Sequence, residues 1–160
     1  MAIASNTIAK LALELETAEV SRVQRRQISL DHPEVTIDDA YAIQAAWMAL
    51  KAKQGRRVIG YKIGLTSKAM QRSSNISEPD TGVLLDTMRM ASGVRIDTAL
   101  FIEPRIEVEL AFILKADLPI SGCSVEDVLA ATEWVVPALE LIDARIEQFA
   151  KVYLFHPSSD

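Results

Sequence analysis

Residues 104–114, PRIEVELAFIL, alternate with the period of a β-strand, which places Glu107 and Glu109 on one side and Ile106, Val108, Leu110 and Phe112 on the other. The apolar set is expected to face packed core. The glutamates share their own side with Ala111 and Ile113, so this is not a plain polar-out strand. A second apolar segment, PALELID, carries Glu140 between Ala138 and Ile142 on one face. A solvated strand face accounts for any Glu-x-Glu taken alone. Three acids in core-like strands need a counter-charge, because buried like charges repel. A divalent ion supplies one, and all-oxygen ligation by Glu107, Glu109 and Glu140 suits Mg2+ or Mn2+, with exchangeable positions left for substrate oxygens. Zinc is disfavoured by that ligand set.

With 160 residues, 49% of them hydrophobic and 24% charged, the chain has the length of about one globular domain. Its net charge of −5 comes without a basic tract that could neutralise phosphates, so nucleic acid is not an expected partner. No apolar run approaches the ~20 residues of a membrane span, and the acidic N-terminal stretch argues against a secretory signal, so a cytoplasmic protein without a membrane partner is expected. The lone Cys123 has no internal disulfide partner and lies in a turn-like, neutral stretch, as an incidental thiol would. His32 and His156 read as exposed loop histidines. Lys62, in the glycine-interrupted segment GYKIGLTS, is either an exposed charge or a cation beside the metal site; periodicity alone does not choose.

Helices come first along the chain. Ser5 or Asn6 is expected to cap a helix reaching about Gln27, with Ile8, Leu11, Leu13, Leu15, Ala18 and Val20 as its apolar face. Thr36 and Asp39 have capping-box spacing for a second helix, whose stripe is Ile37, Ala40, Tyr41, Gln44, Trp47 and Met48. VIGYKIGLT, VLLDTMRM, RIEVELAFILK and WVVPALELID read as strands, the last with an edge or bulge at Pro137. SNISEPDTG reads as a loop, and Ser124 with Asp127 caps a short helix. The expected architecture is α+β: an N-terminal helical segment, 1–57, packed on a β-rich body, 58–160, within one domain overall.

GYKIGLTSKAMQ, SEPDTGVLLD, PRIEVELAFIL and PALELIDARI, in this order and spacing, resemble the hydratase and decarboxylase branch of the fumarylacetoacetate-hydrolase-like superfamily. The resemblance covers about residues 5–148 and implies that Glu107, Glu109 and Glu140 hold Mg2+ or Mn2+, with Lys62 and Asp80 as catalytic residues. Within that branch ISLDHPEVTIDDAYAIQ and ELIDAR imply by resemblance a hydro-lyase of aromatic catabolism, hydrating 2-oxohept-3-ene-1,7-dioate to 4-hydroxy-2-oxoheptanedioate in homoprotocatechuate breakdown. Hydration of 2-hydroxypentadienoate and decarboxylation of 4-oxalocrotonate are the alternatives. In such a site the ion stabilises an enolate, Lys62 helps hold negative charge, and Asp80 relays a proton to C3 or orients water. The implied partners are a small 2-oxo dicarboxylate and further copies of the chain in a homo-oligomer. Tyr61, Thr81 and Glu103 depart from the family pattern, and the tail QFAKVYLFHPSSD does not resemble the family's continuation. A C-terminally truncated body is therefore expected, and a non-catalytic remnant that binds metal or an intact homologue is the remaining alternative.

Overall fold

The computed structural model describes residues 3–119 and 121–149, so the tail that carries His156 lies outside the described residues. The architecture is α+β, in two compact units: Met1–Ile102 with Ala144–Asp160, and Glu103–Asp143.

The first unit opens with α1, Ser5–Ser21. Leu11, Leu15 and Ala18 are buried at helical spacing, whereas Leu13 and Val20, off that stripe, are 57% and 69% exposed. The helix ends six residues short of Gln27, because Arg22 turns left-handed at φ 58° and its N–H donates to the Ala18 carbonyl. Beyond it, the Arg25 N–H donates to the Arg145 carbonyl at 3.0 Å, and the Arg25 carbonyl accepts from the Glu147 N–H at 2.9 Å. A parallel bridge to Ile146 thus takes up backbone groups that a longer helix would have used. The N-cap is Ala4, without a side-chain cap, rather than Ser5 or Asn6.

A short helix, α2 (Ile28–Asp31), leads to α3 (Ile37–Lys53). Thr36 Oγ1 accepts from the Asp39 N–H at 3.2 Å while Asp39 Oδ2 accepts from the Thr36 N–H at 3.0 Å, the capping box its spacing predicts. The Asp39 carboxyl lies below its usual range, chiefly through that Thr36 backbone hydrogen bond. Thr36→Ala is expected to cost about 1 kcal/mol, seen as a Tm lowered by roughly 2–4 °C in a thermal melt.

Leu11, Leu15, Ile28, Ile43, Trp47 and Ile146 form the core of this unit. Fully burying one such side chain contributes about 1.5–3 kcal/mol, so this cluster is the main stabilising element between α1 and α3. Trp47 is core, as its stripe predicts, and Ile43 is fully buried on the same stripe.

After α3, β1 (Val58–Gly64) and α4 (Lys68–Ser73) lead to β2 (Asp80–Leu85), which pairs antiparallel with β1. Two sequence expectations shift here. Asp80 opens the strand rather than sitting in the preceding loop, because it pairs with Gly64. β2 also stops at Leu85, since Asp86 turns into a 3-10 segment and accepts from the Arg57 N–H through Oδ1 at 3.2 Å.

The second unit is β3 (Arg105–Leu114), α5 (Val125–Ala131) and β4 (Thr132–Ile142). Ser124 and Asp127 form the expected capping box on α5. β3 and β4 pair antiparallel along nearly their whole length as a two-stranded sheet. Pro137 sits within β4 opposite Leu110, tolerated because both strands of such a sheet are edges. The expectation of packed core behind β3 does not hold: Ile106, Val108, Leu110 and Phe112 are 58%, 82%, 66% and 52% exposed. Among the described residues the sheet has only its two strands, and the side chains of that face are left exposed.

Candidate metal centre and acid–base pair

The register of β3 and β4 decides where the three glutamates meet. Glu107 stands directly opposite Glu140, and Glu109 opposite Ala138. Residues facing one another across an antiparallel pair project to the same side, and so does a residue two further on. All three carboxylates therefore gather on one face of the sheet, with ligand oxygens within 4.8 Å of one another. Glu107 and Glu109 are exposed and Glu140 is half-buried. Like charges opposed across a ladder are mutually destabilising. A hard cation relieves that repulsion, and oxygen-only donors at this spacing can close around an ion with ligand distances of about 2.1 Å.

Lys62 and Asp80 lie in the first unit. Lys62 stands opposite Gly82, and Asp80 opposite Gly64. Both side chains consequently share one face of the β1–β2 pair as diagonal neighbours. Each is half-buried, while Ile59, Tyr61 and Ile63 on the other face of β1 are 50%, 71% and 61% exposed. The charged face is thus the more covered one, the reverse of a simple amphipathic strand.

Helix α3 holds the entry to β2. The Thr81 N–H donates to the Tyr41 hydroxyl at 3.1 Å, and the Thr81 carbonyl accepts from Gln44 Nε2 at 3.1 Å. Both backbone groups beside Asp80 are fixed in this way. Tyr41 and Gln44 belong to the expected helix stripe, and their polar ends were the available signal that the stripe meets backbone rather than core. Beyond Gly64, Leu65 takes a left-handed conformation at φ 54°, and its carbonyl accepts from Nε2 of the buried Gln71 at 2.8 Å. That hydrogen bond supports a conformation costly for a branched residue.

The sequence singled out three further chemistry-bearing residues. Cys123 is exposed, and His32 Nδ1 lies 3.5 Å from Glu34. Glu103, the extra acid before β3, pairs with Arg105 at 2.8 Å, and its N–H donates to Asp143 at 2.8 Å.

No family model matches the sequence. Solved structures do match: 4-oxalocrotonate decarboxylase from Pseudomonas putida G7, complexed with magnesium and adipate, superposes with a TM-score of 0.87 at 34% identity, over 92% of this chain and 56% of that one. The chain belongs to the hydratase and decarboxylase branch of the fumarylacetoacetate-hydrolase-like superfamily. Within that branch it is 58% identical to 2-oxo-hept-4-ene-1,7-dioate hydratase of Escherichia coli over 135 residues, 84% of this chain and 51% of that protein. It is 48% identical to 2-hydroxyhexa-2,4-dienoate hydratase of Comamonas testosteroni over 121 residues, 74% of this chain and 46% of that protein. The chain spans about half the length of the curated relatives it matches.

Proposed function

We propose that this chain supplies the metal ligands and the acid–base residues of a hydro-lyase acting on an unsaturated seven-carbon 2-oxo dicarboxylate from aromatic catabolism. The convergence of Glu107, Glu109 and Glu140 on one face of the β3–β4 sheet carries the reading. Three carboxylates without nitrogen or sulfur fit Mg2+ or Mn2+, and the ion, when bound, polarises the 2-oxo acid. Magnesium in the Pseudomonas putida decarboxylase and the name of the Escherichia coli relative support the same assignment.

The substrate chemistry defines what Lys62 and Asp80 would do. The relative's name places the double bond at C4, one position beyond the expected C3 isomer. The two isomers share a 2-hydroxy-2,4-dienol: loss of a proton from C3 of the 4-ene and gain of one at C5 yields the conjugated 3-ene. Water then adds at C4 and a proton returns to C3, giving 4-hydroxy-2-oxoheptanedioate with all atoms balanced. Asp80 is assigned the proton transfers at C3, and the Lys62 ammonium the negative charge that develops on the 2-oxo acid.

The test is turnover of 2-oxohept-4-ene-1,7-dioate with Mg2+, in the 160-residue chain and in a version extended to the relatives' length as positive control, followed by chromatography of the hydroxy product. Asp80→Asn and Lys62→Met are each expected to lower kcat by about a hundredfold or more. Release of CO2 from 4-oxalocrotonate, offered in a parallel assay, without hydration of the seven-carbon acid would favour the decarboxylase chemistry of the structural match. Metal binding by the 160-residue chain without turnover, beside turnover by the extended version, would favour a non-catalytic role for this chain on its own.

A further inference from the structure

Resting on the assignment of Lys62 and Asp80 as acid–base residues, we propose that Gly64 and Gly82 are positioning residues that give those two side chains the space they occupy. Glycine within a strand lacks a side chain to pack, so it marks a bend, a bulge or a close approach. Neither glycine is needed for its backbone: the glycines with positive φ are Gly55, Gly93 and Gly122. What they share is a charged residue directly across the ladder.

At Gly82, a Cβ would lie 2.8 Å from Lys62 Cγ and 3.1 Å from its Cδ. At Gly64, a Cβ would overlap Asp80 Oδ1 and lie 3.3 Å from Cγ. The lysine stem therefore crosses the ladder to lie over one glycine, and the carboxylate folds back over the other. Four residues on one face form a checkerboard in which each charged residue's side chain lies over a glycine of the opposite strand. Gly60, on the same strand and face as Gly64, supplies the contrast. Its Cβ would meet only Leu84 Cδ1 at 3.9 Å, an ordinary contact.

The three glycine-to-alanine variants separate positioning from general strand effects. In the 160-residue chain, Gly64→Ala should shift the Asp80 carboxyl carbon resonance, and Gly82→Ala should remove the nuclear Overhauser contact between residue 82 Hα and the Lys62 methylenes. Gly60→Ala should do neither. In turnover with Mg2+, Gly64→Ala and Gly82→Ala should lower kcat by about a hundredfold with little change in KM, as expected for misplacement of ~1 Å. Should Gly82→Ala fold poorly, its Tm loss should disappear in a Lys62→Ala background, where the colliding methylenes are gone.

Side-chain resonances that respond to Gly64→Ala and Gly82→Ala no more than to Gly60→Ala would overturn the proposal. So would a Tm loss for Gly82→Ala that persists without the Lys62 stem. Displaced side chains with kcat unchanged would support the positioning while removing the assignment of Lys62 and Asp80 as acid–base residues, so the two failures are distinguishable.

Discussion

Replacing Lys51 by methionine is expected to cost about 3–5 kcal/mol, because it leaves a buried carboxylate without its cation. The Lys51 and Glu16 side chains are 8% and 11% exposed, with Nζ 2.8 Å from Oε2. Glu16 is further satisfied by Trp47 Nε1–H at 2.7 Å and Gln54 Nε2 at 2.8 Å, and Lys51 also reaches Glu19. The Arg145 guanidinium lies 5.1 Å from the centre of the Trp47 ring. This network joins α1 to α3 beside the apolar core, so its loss should appear as a Tm lowered by about 10 °C.

The pH dependence follows from the same pair. Burial pushes the Glu16 carboxyl up, but hydrogen bonds from Lys51, Gln54 and Trp47 together hold it below its usual 4.5. Its contribution to stability is present above about pH 4.5 and is lost as pH falls through the folded-state value. Burial lowers Lys51, but hydrogen bonds and charge from Glu16 and Glu19 raise it above its usual 10.5. That contribution is complete below about pH 10.5 and is lost as pH rises through the folded value. Melts of Glu16→Gln should therefore show a flatter acid limb than the parent chain, and an equally steep limb would reject Glu16 as its source.

None of this network was visible in the sequence, since the spacing of Glu16, Lys51 and Arg145 has no local periodicity. The elements that could be anticipated are those governed by near neighbours. The capping boxes at Thr36 and Ser124 depend on residues three apart, and the shared side of Glu107 and Glu109 depends on residues two apart. That Glu140 joins them depends on strand register, and alternation could suggest a register without fixing it. The errors likewise have a common origin in distant pairing. The end of α1 was decided by a bridge to Ile146, the first residue of β2 by pairing of Asp80 with Gly64, and the exposure of Ile106, Val108, Leu110 and Phe112 goes with a β3–β4 sheet of only two strands among the described residues. The motifs GYKIGLTS and PRIEVELAFIL carried the family, while Tyr41 and Gln44, which fix Thr81, looked like ordinary members of a helix stripe.

Glu107→Gln should move stability in opposite directions with and without metal. In the metal-free chain Glu107 opposes Glu140 across the ladder, and removing one of two opposed like charges is expected to stabilise by about 0.2–1 kcal/mol. The same substitution removes one of three converging oxygen ligands, so Mg2+ or Mn2+ affinity should fall steeply. An ion held only by the folded chain adds about 2.7 kcal/mol at a hundred times its Kd, and that increment should vanish in the variant. Glu109→Gln should lose metal affinity in the same way, with a smaller gain in the metal-free state, because it faces Ala138 rather than a carboxylate. Glu133, exposed on β4 outside the cluster, provides the control. Melts with and without Mg2+, paired with Mn2+ relaxation enhancement of water protons, read both effects. A metal response in Glu107→Gln and Glu109→Gln equal to that of the parent and of Glu133→Gln would show that these glutamates share a face for some reason other than holding an ion.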